Sequence, residues 1–213
     1  MESKWEEHWQ NFSGLAETGT FYGKWASKQK LLLVQQAIEP IFFKDYEVLD
    51  IGCGSGETLT IFKQNGFHDL YGIDSSLSAL KHCEEKGFKL GLNIFQEDAR
   101  HTQFVDRAFG IVFEEGLWEH YPNYTPFVHE ACRLTYDYLI ALQPNHFSFL
   151  GATTKIGWEL FSRNKGGLKE YSIPLSHFKL LIKHQNFHLI REHFTFLKGY
   201  SCMVFRRGHQ TWM

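Results

Sequence analysis

Val48-Leu49-Asp50-Ile51-Gly52-Cys53-Gly54-Ser55-Gly56-Glu57-Thr58-Leu59 is the stretch from which the fold of this chain can be read. It opens apolar, passes through three alternating glycines and continues into residues able to start a helix. A strand, a tight loop and a helix N-terminus, in that order, make the site at which an α/β sheet takes a nucleotide-like cofactor.

Working outward, strand and helix patterns alternate. Glu47 to Ile51 reads as the first strand and Glu57 to Asn65 as a helix closed by Gly66. Leu70 to Ile73 is the second strand, with Asp74 at its carboxyl end; Ser76 is placed to cap the next helix, which Gly87 follows. Asn93 to Gln96, Phe109 to Phe113 and Tyr138 to Leu142 are the third, fourth and fifth strands, the last stopped by Pro144, and a helix over Thr125 to Leu134 turns Phe127, Ala131 and Leu134 inward. Short apolar strands separated by helices predict βαβ units and a parallel sheet covered on both faces. Beyond it, Phe147 to Arg163 and Ser176 to Gln185 read as helices flanking an Asn164–Gly167 loop. His188 to Phe196 and Tyr200 to Arg206 read as a hairpin turned at Leu197-Lys198-Gly199, which adds an antiparallel pair to the sheet.

Ahead of the first strand, Ser27 to Glu39 reads as a helix with Leu31, Val34 and Ile38 on one face, ended by Pro40. Before it lie Trp5, Trp9, Phe12, Phe21, Tyr22 and Trp25. Such an aromatic segment serves either as ordinary packing or as a lid over a pocket.

The 213 residues suffice for one large core without staples. The 20 phenylalanines fit a Phe-rich core, with an apolar ligand pocket as the other use. A formal charge of −2 argues against a nucleic-acid binder held by a basic face. The cysteines at 53, 83, 132 and 202 form no C-x-x-C pair and no zinc spacing, so we expect no metal site and free thiols in a reducing compartment. The N-terminus is polar and acidic, unlike a signal peptide, and the longest apolar run, Leu31 to Val34, is too short to span a membrane. A cytoplasmic location is expected.

Which cofactor the loop takes is decided by acids. In the dinucleotide fingerprint a third glycine stands three residues after the second; here that position is Glu57. Asp50 would repel a pyrophosphate, and desolvation would sharpen the repulsion. The loop therefore favours a ligand carrying positive charge, and S-adenosylmethionine has a sulfonium and an amino group but no phosphate. Asp74 stands where a carboxylate accepts both ribose hydroxyls, a feature shared with NAD sites. Asp98, ending the third strand, is placed to accept from the adenine amine.

With these residues in view, the chain resembles the class I S-adenosylmethionine-dependent methyltransferases, in their small-molecule, type 11/12-like branch. The resemblance is carried by Val48 to Gly56, Tyr71 to Ser76, Glu97-Asp98-Ala99 and Phe109 to His120, within roughly residues 45 to 145. It implies a Rossmann-like three-layer α/β/α sandwich, with a seven-stranded, mostly parallel sheet whose last strand is antiparallel. It also implies one domain over 1–213, with a helical cap (1–44), a cofactor core (45–145) and a substrate-side insertion with the terminal hairpin (146–213). Position by position, it implies that Gly52, Cys53, Gly54 and Gly56 form the loop at the methionyl and ribosyl parts. Asp50 faces the cationic end, Asp74 holds the ribose with Ser75 beside the adenine, and Asp98 and Ala99 contact adenine. Glu114, Glu115 and Gly116 line the crevice near the sulfonium. The acidic pair departs from the small or neutral residues usual there, and the sequence leaves open which of the two points inward.

The expected chemistry is O- or N-methylation of a small molecule by in-line displacement, leaving S-adenosylhomocysteine. The protein then mainly positions and desolvates. A base near the methyl is expected if the acceptor must lose a proton; His120 is the catalytic candidate, with helix-start packing as its other reading, and Glu115 is the alternative base. The Asn/Asp-Pro-Pro-aromatic signature of adenine and amide methylation is replaced here by Glu114-Glu115-Gly116-Leu117. Lys155, Arg163, Lys165 and Lys169 form either a solvated face or a site for an anionic acceptor. The rivals are an NAD(P)-binding Rossmann enzyme, disfavoured by Asp50 and Glu57, and a catalytically inactive protein that binds S-adenosylmethionine.

Overall fold

The structure, a computed structural model, describes residues 2–10, 21–162 and 168–208. Seven helices are described: α1 (Glu2–Gln10), α2 (Phe21–Ile38), α3 (Glu57–Gln64), α4 (Leu77–Glu85), α5 (Thr125–Leu134), α6 (Phe149–Ser162) and α7 (Leu175–His184). The strands are β1 (Val48–Ile51), β2 (Leu70–Asp74), β3 (Ile94–Gln96), β4 (Phe109–Glu115), β5 (Thr135–Pro144), β6 (Phe187–Phe194) and β7 (Tyr200–Arg207). The expectations placed on Phe12, Arg163, Lys165 and the 164–167 loop lie outside the described residues, as do the side chains of Phe21, Tyr22, Trp25, Trp158 and Phe161.

The strands form one sheet in the order β3-β2-β1-β4-β5-β7-β6, and only β7 runs against its neighbours. The parallel sheet expected from the alternating pattern, and the Rossmann-like three-layer sandwich the resemblance implies, are therefore the observed fold. Strand order reverses between β1 and β4, which pair in parallel with Ile51 opposite Glu114. At such a reversal the two connecting segments leave on opposite faces, and a crevice opens at the carboxyl ends of the strands.

Alternation along β1 sends neighbours to opposite layers. Val48 joins the layer of Leu33, Val34, Ile38, Leu59 and Phe62, whereas Leu49 and Ile51 join that of Phe127, Ala131, Phe178 and Ile182. On α5 the residues expected to face inward, Phe127, Ala131 and Leu134, are all buried. Large side chains at such positions stabilise by about 1.5–3 kcal/mol each. Phe62, Phe67, Phe113, Phe178, Phe187 and Phe205 are fully buried, so much of the phenylalanine content builds core.

Several boundaries differ from the sequence reading. α2 starts at Phe21, not Ser27, and β5 runs from Thr135 through Pro144. Pro144 ends its strand without breaking the pairing, because it lies opposite Tyr200 at the last register position. Ser76 caps α4 as expected, its Oγ accepting from the Ala79 N–H at 3.1 Å. The β6–β7 connection uses Thr195: its carbonyl accepts from Lys198 N at 2.8 Å and its hydroxyl from Tyr200 N at 2.9 Å. Among the described residues no helix is long and apolar enough to cross a membrane.

Candidate active site

A crevice of about 680 Å³ of atom-free space, open solvent included, lies at the carboxyl ends of β1 to β4. Its lining includes Gly52, Asp74, Ser75, Asp98, Ala99, Glu115 and Gly116, seven of the residues singled out in the sequence. Leu117, Tyr121 and Phe127 supply apolar wall, while Trp5 and Trp9 of α1 close one side. Of the aromatic N-terminal segment, Trp5 and Trp9 are thus the residues that border the crevice.

The glycine loop is shaped by left-handed backbone. Gly54 has φ +52 and Gly56, which precedes α3, has φ +76, a region where a Cβ clashes. Space is equally restrictive. A Cβ at Gly54 would stand 2.7 Å from Cζ2 of Trp9, and one at Gly56 would stand 2.5 Å from Sγ of Cys83. The loop is tied to the next strand through Ile73, whose carbonyl accepts from Gly52 N at 2.8 Å and Cys53 N at 2.9 Å. The Cys53 side chain is buried in the core beneath the loop, as a small residue in a glycine turn allows, and the residue takes part in the loop through its backbone.

Asp74 occupies the crevice wall with its oxygens aimed at backbone. Oδ2 accepts from Gly54 N at 3.0 Å and Oδ1 from Ser76 N at 2.8 Å. Burial pushes its pKa up to about 6, against the pull of those two N–H donors. Asp50 is buried as well, and burial, then Glu115, raises its pKa well above the usual range. Asp98 differs. It is half-exposed and gripped by Arg100, whose Nε donates to Oδ1 at 2.8 Å and whose main-chain N–H donates there at 2.9 Å. The Arg100 hydrogen bonds hold its pKa below the ordinary value despite partial burial.

The structure separates the acidic pair. Glu115 reaches the crevice and forms an ion pair with Lys30 of α2 at 2.6 Å. Glu114, one residue earlier on the same strand, points to the other side and is fully buried. Nε2 of Gln143 donates to both its oxygens at 2.7 Å, and Leu117 N donates at 3.0 Å. Placing Glu114 on the crevice wall with Glu115 is therefore corrected: alternation along a strand puts only one of two neighbours there.

His120 ends a short 3-10 turn, Trp118–His120, outside the crevice lining. Its ring meets that of Trp5 edge-on, with centroids 5.0 Å apart. Nδ1 lies 3.0 Å from the carbonyl oxygen of Lys169. A carbonyl only accepts, so Nδ1 carries the hydrogen and Nε2 keeps its lone pair. Burial lowers the pKa of this ring, which keeps it neutral near pH 7.

Sequence reasoning missed Lys30, Arg100, Glu119, His146 and Glu170 as site residues. Glu119 and His146 follow the carboxyl ends of β4 and β5, a position that signals ligand sites in open α/β sheets. Lys30, on a helix before the sheet, carries no local signal. Glu6 was missed too. It accepts from the hydroxyls of Ser76 and Ser78 at 2.7 and 2.5 Å, fastening α1 to the start of α4. The Ser78 and Ser76 bonds lower its pKa to about 2.

The donor set fits S-adenosylmethionine. Carboxylates at Asp74, Asp98 and Glu115 offer acceptors to hydroxyls, an exocyclic amine and a cation. The family described as a methyltransferase domain matches residues 49–137. No curated protein matches the sequence. Among solved structures, magnesium protoporphyrin IX methyltransferase from Synechocystis PCC 6803 with bound S-adenosylhomocysteine superposes with a TM-score of 0.69 at 16% identity. That match covers 97% of this chain and 93% of that one. An S-adenosylmethionine-dependent methyltransferase from Thermotoga maritima, described as a possible histamine N-methyltransferase, gives a TM-score of 0.65 at 15% identity, covering 87% and 94%. At this identity the two structures share the fold.

Proposed function

We propose that this chain, an S-adenosylmethionine-dependent methyltransferase with its class I domain at residues 49–137, methylates an oxygen or nitrogen of a small molecule by in-line displacement. The observation that carries the reading is the crevice at the β1–β4 reversal, walled by Asp74, Asp98 and Glu115.

Bound S-adenosylmethionine supplies a methyl group already activated by a sulfonium. The chain's residues position and desolvate. Gly52, Gly54 and Gly56 bring backbone close to the methionyl and ribosyl parts. Asp74 accepts from the ribose with oxygen lone pairs left over from its two N–H donors, and Ser75, Asp98 and Ala99 border the adenine. Glu115, held in place by Lys30, presents negative charge to the cationic end, and Asp50 lies buried beneath the loop. Trp5, Trp9, Leu117 and Phe127 exclude water from the reacting centre. His120 is the proton acceptor in this reading, because its neutral ring keeps the Nε2 lone pair.

The small-molecule acceptor is supported by the crevice: its walls are close-set aromatic and acidic side chains, a poor match to a polyanionic partner. The similar structures are a magnesium protoporphyrin IX methyltransferase and a possible histamine N-methyltransferase, names that point to small-molecule acceptors. The test is calorimetric titration with S-adenosylhomocysteine and with NADH, followed by a methylation assay across a metabolite panel. Micromolar binding of the former and turnover of a panel member are expected. Binding of NADH alone would overturn the cofactor assignment, and cofactor binding without turnover would favour the inactive binding protein.

A further inference from the structure

Beside the crevice, at the carboxyl ends of β4 and β5, carboxylates gather without enough cations to match them. Glu114 and Glu119 are buried, Glu115 and Glu170 are partly buried, and all four lie within one electrostatic neighbourhood with Lys30, His120, His146 and Tyr200. The ammonium of Lys30 is committed to Glu115 at 2.6 Å. His146 Nε2 engages Glu170 at 3.1 Å. Glu119, only 5% exposed, is left without a counter-cation of its own. Its Oε2 has no hydrogen-bond partner among the described residues, nor do Oε1 of Gln143 and Nδ1 of His146. Buried polar atoms are ordinarily paired, so three orphans in one neighbourhood mark a place made for something else to bind.

Charge says what that is. Burial, then Glu170, pushes the pKa of Glu119 up to about 8, and burial, then Glu119, raises Glu114 well above the usual range. Acids hold protons at neutral pH when a site lacks positive charge. The cofactor's own cation does not meet the need, since of these four glutamates only Glu115 lines the crevice. Among the described residues the nearby cations are already engaged, Lys155 favouring the ionised form of Glu170. Lys155 donates to the hydroxyl of Ser172, and the exposed Lys169 lies over the Tyr171 ring, 4.6 Å from its centroid. Access exists at the rim, where the side chains of Lys30 and Glu170 are 29% and 20% exposed.

We propose that this cluster is the subsite for a positively charged group of the methyl acceptor, an ammonium or amidinium on a small molecule, with Glu119 and Glu170 as its anionic partners. The proposal rests on the methyltransferase reading above and names the acceptor's class.

The experiment is calorimetry in two stages. The protein is first titrated with S-adenosylhomocysteine, then, once saturated, with n-butylamine, phenethylamine, tryptamine and spermidine, and with 1-butanol, 2-phenylethanol and phenylacetate as uncharged and anionic counterparts. At least one amine is expected to bind about tenfold or more tightly than its counterpart. Glu119→Gln should lower that amine's affinity by about tenfold, with S-adenosylhomocysteine binding unchanged. Glu170→Gln, at a more exposed position, should act in the same direction and keeps the test alive if the first variant does not fold. Alcohols or phenylacetate binding as tightly as the amines would overturn the proposal. So would no amine binding to a protein that does bind S-adenosylhomocysteine, or unchanged amine affinity in both variants. Failure to bind S-adenosylhomocysteine would instead sink the underlying cofactor reading.

Discussion

The indole of Trp9 lies directly against Gly54, so close that a Cβ at residue 54 would stand 2.7 Å from Cζ2 and 2.9 Å from Cη2 of that ring. An N-terminal helix is thereby seated on the loop that opens the crevice. Gly54→Ala meets two obstacles, the ring and a φ of +52. The backbone alone costs about 1–2 kcal/mol. We expect Gly54→Ala to lower stability by about that amount or more, and to loosen α1, seen as a change in tryptophan fluorescence. Adding Trp9→Ala should remove the steric part and leave the backbone part. Additive effects in the double variant would show that the two residues do not meet.

Asp74 joins the loop to α4 by accepting from Gly54 N at 3.0 Å and Ser76 N at 2.8 Å. Asp74→Ala removes both acceptors together with the carboxylate that borders the crevice. Two buried N–H groups are then left unsatisfied, and affinity for S-adenosylhomocysteine should fall by about 1–3 kcal/mol, read by calorimetry. Unchanged affinity would mean that the carboxylate serves the loop alone.

The adjacent glutamates of β4 should separate cleanly. Glu115→Gln weakens the pair with Lys30, at side chains 22% and 29% exposed, and removes negative charge from the crevice. It should raise KM for S-adenosylmethionine and lower kcat. Glu114→Gln replaces a buried acid, whose pKa lies well above the ordinary range, with its neutral near-isostere beside Gln143. Cofactor affinity should then stay within about twofold, with a stability cost of about 1 kcal/mol for the imperfect bond to Gln143. Equal losses of cofactor affinity in both variants would contradict the opposite orientations.

The contrast between these residues shows what the sequence makes legible. Period and punctuation are local, so the glycine loop, the Ser76 cap and the inward face of α5 can be read from neighbours in the chain. The direction of Glu114 and Glu115 depends on the parity of β4, which is set only when Ile51 and Glu114 come into register. Lys30 with Glu115, and His146 with Glu170, join distant segments through the tertiary fold, and no spacing announces them. Cys53 stands among the glycines and takes part in the loop through its backbone, while the turn between them sends its side chain into the core.

Glu119 makes the pH dependence of stability a direct probe of the buried cluster. Its pKa rises from an ordinary 4.5 to about 8 in the folded protein, through burial and the neighbouring Glu170, with Lys30 and His146 opposing the rise. Glu114 of β4 faces it as a further carboxylate. Between those two values the native protein keeps a proton that the unfolded chain has released. Stability must therefore fall as pH rises through this window and level off above it, by at most about 1.4 kcal/mol per pH unit from this group. Asp74, raised to about 6, adds the same sign over the lower part of the window. Urea denaturation from pH 5 to 8.5 should show this decline in the wild type and a shallower one in Glu119→Gln, whose relative stability grows toward alkaline pH. Parallel profiles for the two proteins would mean that Glu119 is ionised throughout, and its free oxygen would then have to be matched by positive charge already in the fold.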